Sequence, residues 1–336
     1  MLCLLLFSTG PSYAATSPAE KNHGAGKIAF FPFENLSENK NALDKILPVL
    51  KGQLEKRGIE IADDGSVDAF LLRERFRFSG YISKDLAVKL GKELQVSAVV
   101  LGAVTSFSEK DNPEAGLSLR LVSTADGSLL WANNASATGD DFTGILGLGR
   151  IGTLDKLVPV VIKRLLASFN MNPPRKEVES TYKIAVMPFQ NRSKAKNAGA
   201  AITYMFIGEL FKDRRYIPFE YGDIRKAIVE KRIREKGELD YKNMDFLSGD
   251  LDADGFLVGT VEVFSEKNDA SSPPEVALNI RLIDARKKRI LWYDSYHLNG
   301  DDDIFILDFG KLRSVDEVAR KVISKLIKRM GKAKWF

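Results

Sequence analysis

The chain repeats itself at long period. This constrains the fold more than any other feature, because a duplicated unit must lay out the same elements twice. Lys27–Ser37 (KIAFFPFENLS) returns as Lys183–Ser193 (KIAVMPFQNRS), and Val100–Lys110 (VLGAVTSFSEK) returns as Leu257–Lys267 (LVGTVEVFSEK). Leu119–Val122 (LRLV) returns as Ile280–Ile283 (IRLI), Leu130-Trp131 as Leu291-Trp292, and Gly139–Asp141 (GDD) as Gly300–Asp302. The offset is 156 residues from Lys27 to Lys183, 157 from Val100 to Leu257 and 161 from Leu119 to Ile280. It changes only between elements, where insertions are tolerated. From Arg120 to Phe169 the two copies run in step without a gap.

The repeat divides the chain into a first module over 27–169 and a second over 183–331, joined by a polar linker over 170–182 that carries Pro173-Pro174. A length of 336 residues suits two ordinary domains. Ahead of them, Met1–Phe7 is a short apolar run, followed by Gly10, Pro11 and then Ser12-Tyr13-Ala14. Small residues at Ser12 and Ala14 fit a signal-peptidase site, so 1–14 is expected to be a signal peptide and 15–26 a flexible segment. The run is too short to span a bilayer as a helix, and Cys3 lies inside it rather than after it, which argues against a lipid anchor there.

Within one module, Ile184–Phe189 reads as a buried strand ending at a proline, with Asn191 and Ser193 satisfying a turn. Ala198–Phe211 has helical spacing, with Ile202, Met205, Phe206 and Leu210 on one face. Tyr216–Glu220 reads as an edge strand because Pro218 cannot donate to a central ladder. Helices are expected near 223–236 and 244–251, then three strands in a meander over 255–264, 276–284 and 290–298. A last helix starts at the capping box Ser314-Val-Asp-Glu317, with Thr153 as its capping counterpart in the first module. The order β-α-β-α-α-β-β-β-α predicts an α/β (α+β sandwich) fold: two tandem copies of a mixed β-sheet flanked by helices.

Few residues suggest chemistry. The sole cysteine, Cys3, permits no intrachain disulfide and no Cys-His pair or zinc spacing. His23 sits in the N-terminal segment, and His297 shares a strand face with Tyr293 and Ser295, where a solvent-facing role is expected. Asp140-Asp141 and Asp301–Asp303 could ligate a hard cation but lack the spacing of a calcium loop, so solvated turns are expected. Gly144–Gly152 is glycine-rich, yet it lacks the Gly-Lys-Ser/Thr of a phosphate loop, and only Gly149 keeps its counterpart, Gly310. An apolar loop touching a partner or a lipid face is the alternative. The C-terminal helix carries Arg320, Lys321, Lys325, Lys328, Arg329, Lys332 and Lys334 beside an apolar stripe and ends in Trp335-Phe336. Packing on the sheet is expected, with an anionic membrane as the competing contact. Arg232–Asp240 reads as a solvated helix end stopped by Gly237. The net charge of +5, from 50 basic and 45 acidic residues mixed along the chain, gives no basis for nucleic-acid binding. No catalytic, cofactor-binding or metal-ligating residue is assigned, and no cofactor is expected.

Lys183–Phe189 with Asn191 and Ser193, Ala198-Gly199, Ala253–Gly259, Arg281–Asp284, Ile290–Trp292 and Gly300 resemble the curli secretion component (CsgG-like) family. The same module is similar to the TolB N-terminal domain and to LpoB-type activators. The resemblance implies an anticodon-binding-domain-like sheet flanked by helices, a periplasmic location with possible outer-membrane association, and work through envelope protein partners in secretion or assembly. It implies no catalytic residue. Homo-oligomerisation and peripheral membrane contact stay open. Pore-forming members carry long hairpins, whereas Ser108–Gly116 and Ser265–Pro274 are short and charged, which argues against a pore. A pore subunit and a metal-dependent hydrolase using the aspartates are the alternative functions.

Overall fold

The computed structural model describes residues 26–143, 149–171, 181–233, 247–249, 251–266, 272–304 and 310–333. The signal segment, most of the linker, His23 and the Gly237 helix stop lie outside them.

The first repeat runs β1 (Ile28–Phe30), β2 (Glu34–Asn35), α1 (Ala42–Glu55), α2 (Asp64–Arg73), α3 (Lys84–Leu94), β3 (Ala98–Ser108), β4 (Glu114–Ser123), β5 (Leu129–Thr138) and α4 (Leu154–Leu165). The second runs β6 (Tyr182–Val186), β7 (Gln190–Asn191), α5 (Ala198–Lys212), β8 (Tyr216–Pro218), α6 (Tyr221–Glu230), β9 (Gly255–Ser265), β10 (Glu275–Asp284), β11 (Ile290–Asn299) and α7 (Val315–Met330). Each repeat builds its own mixed sheet, in the order β1-β3-β4-β5 and β11-β10-β9-β6-β8, with β8 at the edge as Pro218 requires. The two-residue strands β2 and β7 pair parallel with β3 and β9 and were not legible in the sequence.

The shared motif explains its own residues. Asn35 Oδ1 accepts from the Ser37 amide and hydroxyl at 3.1 and 2.7 Å, and Asn191 Oδ1 does the same for Ser193 at 3.0 and 2.7 Å. The chain is thereby turned from strand into helix twice by one device. The meander is antiparallel in both sheets, and both first hairpin strands carry a bulge, at Thr105 and at Glu262.

One face of the first sheet is covered by α1 and α4, whose Ile46, Leu50, Val158 and Ile162 are buried against Val100, Leu119 and Trp131. The other face is covered at one end by α2 and α3, through Phe70 and Leu90 on Val99 and Leu101. The rest of that face is covered by the second repeat. Helix α5 lies between the two sheets, and Leu36 and Ala103 of the first repeat share one core with Ile202, Tyr204, Leu257 and Ile323 of the second. A helix apolar all round is one that is buried all round, and α5 is buried at Ala201, Ile202, Thr203, Tyr204, Met205, Phe206, Ile207 and Gly208 in succession.

The α7 capping box is half as expected. Ser314 Oγ accepts from the Glu317 amide at 3.2 Å, but Glu317 Oε2 accepts from the Arg313 amide at 3.2 Å, one residue before the cap. Thr153 makes no side-chain cap bond.

Candidate functional site

The residues nominated from sequence are committed to structure. His297 is exposed on β11, with Nε2 2.6 Å from Glu275 Oε1. Asp141 Oδ2 accepts from the Thr138 amide at 2.6 Å, and its counterpart Asp302 Oδ2 accepts from the Asn299 amide at 2.8 Å. Arg150 holds Asp140 at 2.7 Å, Lys311 holds Asp301 at 3.3 Å and Lys321 holds Asp303 at 2.6 Å. Asp140 and Asp141 lie in a short 3-10 helix over Gly139–Phe142, and Asp301–Asp303 lie in the equivalent turn. The structure does bring the two together: Asp140 and Asp301 line one cavity of roughly 30 Å³ with Asn112, Lys311 and Arg313. That is room for about one water, and the flanking cations supply the countercharge. Among the described residues no group of three or more His, Cys, Asp or Glu is placed to hold a metal ion.

Gly149 and Gly310 adopt φ of +92° and +93°, so the retained glycine serves a left-handed turn. The apolar stretch over 144–148 lies outside the described residues, as do Lys334, Trp335 and Phe336. The apolar stripe of α7, with Val318, Ile323, Leu326, Ile327 and Met330, is buried on the sheet. No helix among the described residues is long and apolar enough to cross a membrane. The β3–β4 hairpin turns between Ser108 and Glu114, too short for a spanning strand.

The residues that sequence reading missed lie between the repeats. Arg120, on β4, is 0% exposed, and its Nε donates to Glu220 Oε2 at 3.0 Å. Its Nη2 donates to the Gly80 carbonyl and, at 3.4 Å, to Glu220 Oε1. The guanidinium lies over the Tyr204 ring, 4.4 Å from its centroid. Tyr204 donates to Glu34 Oε2 at 2.6 Å, Asn197 Nδ2 to the Leu36 carbonyl at 2.8 Å, and Asn134 Nδ2 to the Met205 carbonyl at 2.9 Å. Beside them Asp316 Oδ2 accepts from Thr105 and from Ser106 Oγ at 3.1 Å. Burial pushes the Asp316 carboxyl up to about 6, against the pull of those hydroxyls and of Arg320. Burial, reinforced by the Asp316 charge, also holds Glu114 well above the usual carboxylate range. An arginine on a strand otherwise rich in Leu, Ser and Gly was the available signal.

Among the described residues the same face of the second sheet is exposed. Positions equivalent to Leu101, Ala103, Ser118, Arg120, Ala132, Asn134 and Ser136 are Val258, Thr260, Asn279, Arg281, Tyr293, Ser295 and His297, and both sets share the same cross-strand register. Strand β4 is buried along almost its whole length, whereas β10 alternates buried and exposed residues. Asn279, Arg281, Ser295 and His297 are exposed, and Tyr293 is 77% exposed. Helix α6 covers only one end of this face, through Ile224 and Ile228 near Phe256.

No family model matches the chain, and no curated protein matches it. Among solved structures it is similar to the lipoprotein GNA1162 from Neisseria meningitidis (15% identity, 45% of this chain and 99% of that one, TM-score 0.34). It is similar to the PelC dodecamer from Paraburkholderia phytofirmans (18%, 44% and 85%, 0.32) and to the LpoB C-terminal domain from Salmonella enterica (12%, 37% and 87%, 0.28). Similarity at these scores transfers no function.

Proposed function

We propose that this chain is a non-enzymatic assembly or scaffold component of the bacterial envelope, facing the periplasm and acting through protein–protein contact. The observation that carries this reading is the uncovered face of the second sheet. An antiparallel sheet commonly leaves one face to solvent, but the equivalent face of the first sheet is hidden here by α5 and α7. The groups that could have run acid–base or metal chemistry are tied into turns and ion pairs instead. The export-like N-terminus and the resemblance of the repeat to the CsgG-like, TolB N-terminal and LpoB-type modules support the location.

The test is in cells. A photo-cross-linking residue at Tyr293, with fractionation of the source cell, should give envelope-fraction protein cross-linked through that position, and a probe at buried Leu278 should not. A protein found wholly in the cytosolic fraction, or one that gives no Tyr293 cross-links, sinks the reading.

A further inference from the structure

The two repeats meet in a way that leaves one half of the same contact unused at each end of the molecule. The first sheet accepts helices α5 and α7 from the second repeat; among the described residues the second sheet carries only α6, at one end of the equivalent face. Helices α1 and α4, the counterparts of α5 and α7, turn their outer side to solvent, with Asp44, Lys45 and Pro48 exposed. We infer that the open face of the second sheet receives α1 and α4 of a second molecule, so that molecules associate head to tail by reproducing their own interrepeat contact.

Charge placement supports this occupant. The buried pair between repeats is Arg120 with Glu220. Glu220 is the N-cap of α6, and the equivalent residue, by the matching amide bonds of Phe219 to Ile184 and Ala62 to Ile28, is Asp63, the N-cap of α2. Asp63 is exposed, as is Arg281, the equivalent of Arg120. The acidic half thus stands at one end of the molecule and the basic half at the other.

Volume is conserved as well. In the interrepeat contact the Tyr204 ring sits on Arg120, whose cross-strand neighbour is Ala132. In the contact between molecules Pro48 takes the place of Tyr204, and Tyr293 takes the place of Ala132 beside Arg281. The large side chain has moved from helix to strand. Close approach is retained too. A Cβ on Gly208 would meet Asn134 Nδ2 at 2.6 Å, whereas one on its equivalent Gly52 would meet nothing within 4 Å. A mid-helix glycine and the mid-helix Pro48, both unfavourable for α1 itself, lie on the side that would face Ser295 and Arg281. The N-cap Asn41 matches Asn197, whose amide reaches a backbone carbonyl at Leu36; the equivalent carbonyl is that of Arg192, which needs no particular side chain.

Some contacts are not reproduced. Pro48 has no hydroxyl to take the place of the Tyr204 donor to Glu34. Thr105 and Asp316 become Glu262 and Asp155, two like charges, so the association is weaker than the contact within one chain. Because the two surfaces differ, it is heterologous, and it closes into a ring or grows as a filament according to the rotation per step.

This proposal shares the face used in the functional reading but tests with the purified chain alone, so its failure leaves an envelope partner at Tyr293 open. Sedimentation velocity of the full chain should show concentration-dependent growth. Asp63→Arg and Arg281→Glu should each weaken it by about tenfold or more, with unchanged circular dichroism and a cooperative thermal transition. Mixing the two variants sets Arg281 of one against Asp63 of the other and, at the next contact, the two reversed charges against each other, and so should restore growth in alternating order. Gly52→Leu, on the exposed side of α1, should fold and fail to associate. A native chain that stays monomeric at every concentration, association indifferent to these variants, or a mixture that associates no better than either variant alone would each overturn the inference.

Discussion

Replacing Glu220 by Gln tests whether the interrepeat contact is a structural joint of the whole chain. Both side chains of the Arg120–Glu220 pair are fully buried, with Nε and Oε2 3.0 Å apart. Removing the carboxylate charge leaves a guanidinium enclosed by protein, retaining the Gly80 carbonyl and the Tyr204 ring as partners. Breaking a buried pair from one side costs about 3–5 kcal/mol, because the remaining charge loses its compensation but not its burial. Glu220→Gln keeps shape and one acceptor, so the lower end applies, about 3 kcal/mol. Glu220→Ala removes both and should reach the upper end. The double variant Arg120→Met/Glu220→Leu should recover most of this loss, since two apolar groups need no countercharge. Urea unfolding, followed by far-ultraviolet circular dichroism and tryptophan fluorescence, gives the midpoints. Because Arg120 belongs to the first sheet and Glu220 to the second repeat, the single variants should also separate one transition into two. A loss below about 1 kcal/mol for Glu220→Ala, with one unbroken transition, would refute the assignment of the pair as the joint.

Further outcomes follow from the same interface. The Asp316 carboxyl rises from 3.8 to about 6 on burial, so its protonated form is favoured in the folded chain. Its contribution, about 3 kcal/mol, is present in acid and is lost as pH rises through about 6. Asp223, also raised to about 6 by burial, acts in the same sense. Asp316→Asn should therefore gain stability over the native chain between about pH 4 and about pH 7.5, read from urea midpoints; a constant difference across that range refutes it. Gly208→Ala should destabilise by at least about 1 kcal/mol, since its Cβ meets Asn134, while Gly52→Ala should stabilise the monomer by about 0.5–1 kcal/mol. Matching signs in thermal unfolding at low concentration would contradict the interface geometry. Ser314→Ala should cost about 1 kcal/mol through the lost Glu317 amide bond, checked in the same assay. Millimolar calcium or magnesium should not shift the melting temperature, because Asp301 and Asp303 already hold Lys311 and Lys321; a shift abolished by Asp301→Ala and Asp302→Ala would reverse that conclusion.

The order of elements was legible because the duplication allowed each ambiguous segment to be read twice. The meander, the Pro218 edge strand and the Asn-x-Ser turn follow from local chemistry that needs no knowledge of the rest of the chain. What joins the repeats was not legible. Ile202, Met205, Phe206 and Leu210 gave α5 one apolar face, but nothing in the sequence marked Ala201, Tyr204, Ile207 and Gly208 on the opposite side for burial as well. They face a sheet distant in sequence, and its matching residues are small ones such as Ala103, Ser118 and Ala132, which look like ordinary strand alternation. Arg120 and Arg281 are one motif residue in two copies, yet one is buried and the other exposed. No local pattern separates them; only the presence of a second layer does.

The position of α5 between two sheets bears on the order in which the chain is made. All strands of the first sheet leave the ribosome before α5 does, and at synthesis rates of about 5–20 residues per second that delay is on the order of ten seconds. During this interval the nascent chain holds a nearly finished sheet whose Ala103, Ser118 and Arg120 face has no cover. Release of the chain before Lys212 would leave that face bare for good, next to whatever holdase or membrane surface is nearest. The second repeat is thus the step that finishes the first, and a stop codon between them should yield an aggregating fragment rather than half a protein.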